Sequence, residues 1–316
     1  MGLFLMHLDD ALERQPEFLD YARGRQAHEA NFASKARNLR LWGTQSGLDE
    51  LRKDMQPHIE QATQNGPLVT FSGSGDFHHL SQLIISCLME KQKNKATIIH
   101  FDNHPDWVHF NDGMHCGSWV NKALTIPGVE KVITIGVCSN DLKFPEFKGA
   151  NLENLKNGKI ILFPFSRRPT FVFKDYGTQS GYEQKGRRIN WDNISEQENF
   201  IEKLLPLITT SEIYITVDKD VLSQDDVITN WDQGKMRLPV LLEMLKTLTK
   251  KYNVLGVDVV GDYSTKDYGG TFAAKWKKKL EIMMDQPKDN YQDKDITSLN
   301  SASNMELIKV FEENLL

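Results

Sequence analysis

Six short segments of the chain are nearly continuous apolar runs: Leu68–Phe71, Ala96–Phe101, Lys131–Val137, Lys159–Phe163, Glu212–Val217 and Val254–Val260. They are rich in Val and Ile and bounded by polar or turn residues, which predicts buried β-strands. Runs that do not alternate with polar residues suit strands covered on both faces, as in a parallel sheet. Between them, apolar residues recur at three- and four-residue spacing in Leu48–Gln64, Leu80–Lys91, Asn199–Leu207 and Leu238–Lys251, the pattern of amphipathic helices. Strands alternating with helices predict an α/β fold with a parallel sheet. No linker divides the chain, so residues 1–316 are expected to form a single domain.

Two regions break the pattern. Ser166–Glu198 lacks apolar periodicity and sets Arg167, Arg168, Lys185, Arg187 and Arg188 beside Tyr176, Tyr182 and Trp191. It reads first as a solvated surface insertion, and second as a lid over an active site, since long loops in compact domains are often functional. Asp285–Ser303 is polar and predicts irregular chain, followed by a docking helix over Asn304–Asn314.

Composition narrows the function classes. With 40% hydrophobic residues among 316, an ordinary core is available. The net charge of −5 gives no global electrostatic reason to expect nucleic acid or an anionic membrane surface. Three cysteines (Cys87, Cys116 and Cys138) do not make a disulfide framework and suit a reducing compartment. The start, MGLFLMHLDDALERQ, lacks a basic n-region before a long apolar core, and Met6 breaks the myristoylation pattern. No apolar run is long enough to span a bilayer. The expectation is a cytoplasmic protein acting on a small molecule, with no nucleic-acid or membrane partner and with a homo-oligomeric state left open.

The chemistry gathers at strand ends. His100-Phe101-Asp102-Asn103-His104-Pro105-Asp106 follows directly on an apolar strand. Asp102, His104 and Asp106 alternate, so an extended strand end puts all three on one face. Two carboxylates and an imidazole suit a borderline metal such as Mn, Zn or Fe; the plain alternative is an acidic turn capping the next helix. A second apolar strand ends in Asp218-Lys219-Asp220, where like charges repel unless a cation sits between them. A third runs into Ser72-Gly73-Ser74-Gly75-Asp76-Phe77-His78-His79. In a parallel sheet all carboxyl-terminal strand edges lie on one side, which brings these groups together.

These three segments, in this order, resemble the arginase–agmatinase–formiminoglutamase family, the ureohydrolases. That family has a Gly-Gly-x-His turn, an Asp-x-His-x-Asp strand end and a later Asp-x-Asp strand end. The resemblance spans roughly Leu68 to Tyr263. It implies a three-layer α/β/α fold with a mostly parallel central sheet and a centre of two divalent ions, usually manganese, with Zn2+ or Fe2+ as alternatives. It also implies that Asp102, His104, Asp106, Asp218 and Asp220 are metal ligands. The sixth ligand comes from His78 or His79; His79 is preferred, because it directly precedes the helix at Leu80, and His78 then orients a ligand from behind. His115, in Asp-Gly-Met-His-Cys-Gly-Ser-Trp, matches the family's proton shuttle, while Cys116 reads as a small packed residue.

The departures concern the substrate. Where the family reads Leu-Asp-x-x-Glu and the glutamate grips a guanidinium, this chain reads Val257-Asp258-Val259-Val260-Gly261-Asp262. Asp258 matches, the glutamate position falls on Gly261, and Asp262 stands one residue late. The loop after Asp220 is also changed, to Asn230-Trp231-Asp232-Gln233-Gly234. The resulting expectation is a hydrolase in which activated hydroxide attacks a C–N carbon of guanidino, formimino or related type. Asp220 assists the hydroxide, His115 delivers a proton to the leaving amine, and Asp262, Asp232 and Trp231 contact substrate. The competing expectations are an amide or deacetylase-type metal hydrolase and a non-catalytic metal-binding protein of the same fold.

Overall fold

A computed structural model describes residues 1–286 and 293–315. The apolar runs become strands of one eight-stranded sheet: β1 (Gly2–His7), β2 (His28–Asn31), β3 (Leu68–Phe71), β4 (Ala96–Phe101), β5 (Val129–Val137), β6 (Ile160–Pro164), β7 (Glu212–Asp218) and β8 (Asn253–Val260). Their order is β2-β1-β3-β8-β7-β4-β5-β6, and every neighbouring pair is parallel.

Along β1, β4 and β6, successive residues feed two separate cores, as the period of two requires. On one face Ile98, Val132 and Leu162 pack with Leu48, Leu51 and Met55 of α2 (Gln45–Ala62) and with Leu83 and Ile84 of α3 (Ser81–Met89). On the other face Ile99, Ile133 and Ile161 pack with Phe18 and Leu19 of α1 (Pro16–Arg23) and with Leu241 and Leu245 of α4 (Leu238–Lys251). Leu307, Ile308 and Phe311 close that face from the last helix, Asp293–Leu315. The result is the expected three-layer α/β/α arrangement around a parallel sheet.

Three expectations are corrected. β1 and β2 lie outside the predicted strands. β2 reads His-Glu-Ala-Asn and has no apolar run; it is a strand because β1 offers it a backbone edge, with Phe4 opposite His28. The polar tail is helical from Asp293, while residues 287–292 lie outside the described residues. Its buried amides are paired: the Asn300 side chain both donates to the Ile228 carbonyl (2.8 Å) and accepts from the Ile228 N–H (2.9 Å). Hydropathy cannot distinguish such amides from solvated ones. Finally, Ser166–Glu198, expected as a solvated surface insertion, holds a four-stranded antiparallel sheet whose Tyr182, Ile189 and Trp191 enter the first core. No helix among the described residues is long and apolar enough to cross a membrane.

Candidate metal centre

The carboxyl ends of β3, β8, β7 and β4 stand side by side. After β3 the chain enters a 3-10 helix, Gly75–Leu80. Such a helix has three residues per turn, so Gly75, His78 and Ser81 share one face. That face points at β7: a Cβ on Gly75 would lie 2.6 Å from Asp218 Oδ2. His78 Nδ1 therefore reaches 3.0 Å from Asp102 Oδ2, 3.3 Å from Asp106 Oδ2 and 3.5 Å from Asp218 Oδ2. It is buried and makes no well-formed hydrogen bond with any of them.

The other nitrogen of His78 explains why Nδ1 is bare. Thr216 Oγ1 donates to Asp258 Oδ1 (2.9 Å), so it accepts the Nε2–H of His78 at 2.9 Å. Asp258 is held in turn by Ser81 (2.8 Å) and Tyr214 (2.5 Å). In the neutral ring Nδ1 then carries a lone pair aimed at carboxylates. His104 is wired alike: Nε2 meets Asp232 Oδ1 at 3.0 Å, and Nδ1 lies 2.9 Å from Asp220 Oδ2 and 3.5 Å from Asp102 Oδ1. Backbone amides fix the acids. Asp102 Oδ1 accepts from the His104 N–H (2.6 Å), Asp220 Oδ1 from that of Asn103 (3.0 Å) and Asp218 Oδ1 from that of Asp220 (3.0 Å). Asp106, with φ of 48°, accepts from the Trp119 indole at 2.7 Å.

Crowding of buried carboxylates shows in their proton affinities. Burial, reinforced by the charge of Asp102, pushes Asp106 and Asp218 up to about 6. Burial, then the charges of Asp218 and Asp102, pushes Asp220 well above its ordinary value. Asp102 goes the other way: against the cost of burial, His100, His104 and His78 hold it well below the carboxylate range. Lys219, between the two aspartates in sequence, turns away and pairs with Asp262. A buried nitrogen lone pair facing oxygen donors that repel one another is a fitting cradle for divalent cations. Two overlapping sets, His78 with His100, Asp102 and Asp106, and Asp102 with His104 and Asp220, each bring their donor atoms within 4.8 Å of one another.

Of the two candidates it is His78, rather than the preferred His79, that faces the carboxylates. His79 is one residue further round the 3-10 helix, fully buried, with neither ring nitrogen in a well-formed hydrogen bond among the described residues. Burial, then the nearby His115 and Lys278 charges, holds it well below the usual histidine value. Asp262 is also displaced from its expected role. It is buried away from the cavity, paired with Lys219 and accepting from Asn304 Nδ2 at 2.9 Å. At Gly261, φ is 93° and a Cβ would collide with Asp218 Oδ1 and come within 2.5 Å of the Lys219 nitrogen, so no side chain fits there.

Trp231 and Asp232 do line the cavity over the acidic cluster, which measures about 470 Å3. Trp231 is anchored by its indole to Asp76 Oδ1 (2.8 Å), which also accepts from Gln286 (2.7 Å), while Arg40 holds the other oxygen at 2.5 Å. His115 lines the cavity as well. Its Nδ1 accepts the Gly117 N–H at 2.8 Å, and its Nε2 donates to Glu281 of α5 (Phe272–Asp285). Burial pushes the neighbouring Cys116 thiol well above its ordinary value, which suits a packed thiol rather than a nucleophile. No described residue of 166–198 lines this cavity; the covering side chains Glu281 and Gln286 come from α5 and its end.

Two residues escaped the sequence reading. His100 extends the alternation of Asp102, His104 and Asp106 one step back, a signal that was present. Glu281 reaches the site only through the path of the chain after β8, which no local pattern encodes.

No protein-family profile matches the chain. A curated relative, an uncharacterised protein of Thermotoga maritima, is 28% identical over 206 residues; the match covers 65% of this chain and 62% of that relative. Among solved structures, formimidoylglutamase from Bacillus subtilis subsp. subtilis str. 168 aligns with a TM-score of 0.54 at 16% identity, covering 96% of this chain and 87% of the other. Arginase from Bacillus caldovelox aligns with a TM-score of 0.58 at 12% identity, over 100% of both chains. At these identities the likeness establishes the fold: the chain has the arginase-like α/β fold, and the resemblance to ureohydrolases extends to its architecture.

Proposed function

We propose that the chain is a metal-dependent hydrolase of the ureohydrolase type, cleaving a C–N bond at a guanidino, formimino or related carbon of a small molecule. The observation that carries this reading is the buried, unpaired His78 Nδ1 facing three carboxylates beneath a cavity of about 470 Å3. His78, Asp102 and Asp106 would hold one divalent ion and Asp102, His104 and Asp220 a second, with Asp218 beside both. Manganese is the metal that the family resemblance implies; Zn2+ and Fe2+ suit the same donors. Ions bound there would lower the pKa of water from 15.7 toward about 7 and so supply hydroxide at neutral pH.

The chain's own groups do the rest. Asp220 would accept a hydrogen bond from the attacking water and fix its direction. His115 keeps its proton on Nε2, because Nδ1 is occupied by the Gly117 N–H, and shares that proton with Glu281. It is placed to pass this proton to a departing amine. Trp231 offers the substrate a ring face and Asp232 a carboxylate. Because Gly261 admits no side chain and Asp262 is engaged by Lys219, an acidic grip from this segment is absent, which argues against plain arginine as the substrate.

The purified chain, loaded with Mn2+, Zn2+ or Fe2+, is expected to hold about two ions, as two-metal sites do. It should release ammonia, urea or an amide from at least one compound in a panel of guanidino, formimino and amide substrates. His115→Asn should lower kcat about 10²- to 10⁴-fold with metal content unchanged. A chain that stays metal-free after supplementation overturns the reading, and a metal-loaded chain inert toward the whole panel overturns its hydrolytic half.

A further inference from the structure

We propose that His100 is itself a metal ligand, so that one of the two positions is bounded by two imidazoles and two carboxylates, and that this position selects a borderline ion such as Zn2+ over Mn2+. The inference rests on the two-metal reading above and adds a difference between the two positions.

Geometry points to His100 first. It sits on β4 two residues before Asp102, so its side chain leaves the same face of the strand. Its ring is fully buried. Nε2 lies 2.8 Å from Asp102 Oδ2 and 4.0 Å from Asp106 Oδ2. The His78 and His100 ring centroids are 5.1 Å apart, and the donor atoms of His78, His100, Asp102 and Asp106 lie within 4.8 Å of one another.

The second nitrogen supplies the independent observation. His100 Nδ1 lies 3.1 Å from Thr134 Oγ1, a hydroxyl on β5 that can accept its proton. This is the wiring of the other two cluster imidazoles. His78 leans on Thr216 and His104 on Asp232, and in each the opposite nitrogen faces aspartate oxygens. A hydroxyl or carboxylate behind a ligand imidazole fixes its tautomer and raises its donor strength. His79, whose ring nitrogens make no well-formed hydrogen bond among the described residues, has no such support. Without metal, His100 Nε2 is at hydrogen-bond distance from Asp102 Oδ2; with the ring proton moved to Nδ1 and accepted by Thr134, Nε2 would be free to share a cation with Asp102.

The donor sets then differ in softness. Imidazole suits Zn, Cu, Fe and Ni, whereas carboxylate suits Mg, Ca and Mn. His78, His100, Asp102 and Asp106 carry two imidazoles; Asp102, His104 and Asp220 carry one. The first set should take the softer ion, and a mixed pair should form when both metals are offered.

The test uses the full chain stripped of metal and given a single equivalent of Zn2+ in the presence of excess Mn2+. X-ray absorption at the zinc edge is expected to count two imidazoles, and elemental analysis about one zinc and one manganese per chain. His100→Phe should leave one imidazole at the zinc and lower the Zn2+ preference over Mn2+ about 10- to 100-fold. His100→Gln keeps a group able to hydrogen-bond Asp102, and it should fail to restore that preference. A single imidazole in the unaltered chain, or full rescue by Gln, overturns the proposal and leaves His100 a positioning residue while the two-metal reading stands. Absence of any bound metal overturns the two-metal reading itself. The zinc-edge count on the unaltered chain decides the matter even if the variants do not fold.

Discussion

Two groups of buried acids lie at the carboxyl ends of the sheet, and their charges are met in opposite ways. Asp76 and Asp262 are matched by the chain itself: Arg40, Trp231 and Gln286 surround the first, and Lys219 and Asn304 the second. Asp102, Asp106, Asp218 and Asp220 are gathered without a lysine or arginine partner among the described residues, while Lys219 points the other way. The protein can bury a fixed cation beside an acid, and at the cluster it sets imidazoles, whose charge can be given up with a proton. That arrangement suits a cation brought from outside.

The comparison breaks most visibly at Lys219. Replacing it by Met strands a buried Asp262 and should cost about 3–5 kcal/mol, read as a fall in the denaturation midpoint. Adding Asp262→Leu removes the stranded charge and should recover most of the loss. If Lys219→Met alone unfolds at the wild-type midpoint, the two groups of acids do not differ in the way described.

A smaller effect is expected at Thr216. Changing it to Val preserves its shape and removes the oxygen that accepts the Nε2–H of His78. Metal affinity should fall about 10- to 100-fold, the usual consequence of losing support behind a ligand. Titration calorimetry would register it, and an unchanged affinity would show that the chain Asp258–Thr216–His78 does not orient the ring.

The gentlest probe is pH, where the sign is the informative part. In the metal-free protein Asp106 and Asp218 are pushed up to about 6, Asp220 is raised further, and His78 and His104 are raised well above the ordinary histidine value. All five bind protons more tightly in the folded state than in the unfolded one. Stability should therefore fall as pH rises from about 4 through 6 and beyond, because over that window the native state holds more protons. Loading with metal, which needs the deprotonated ligands, should reverse the trend. Melting curves of both forms between pH 5 and 8 should diverge; parallel curves would remove the electrostatic distinction between the two groups of acids.

The central strands and their acidic ends were legible because both signals are local. An apolar run marks a buried strand, and alternation past its end marks which residues share a face. Hence Asp102, His104, Asp106, Asp218 and Asp220 meet as the sequence implies. What failed was non-local. β2 exists because β1 presents an edge. Which of His78 and His79 faces the acids turned on a 3-10 helix that begins at Gly75 rather than an α-helix that begins at Leu80. Asp262 looked free because its partner Lys219 is hidden between two presumptive ligands. Glu281 could not be seen until the chain after β8 was traced back across the cavity.

Gly261 also bears on which histories are open to this protein. A change of that residue to glutamate, the substitution that would most simply imitate the family's substrate-gripping segment, would force a side chain into the volume of Asp218 and onto a backbone with φ of 93°. The acid that recognises a guanidinium and the acid that closes the cluster would contend for the same space. No single replacement at this position leads from one chemistry to the other. The backbone between β8 and Tyr263 would have to move first, so the lack of an acidic side chain at this position is locked by geometry.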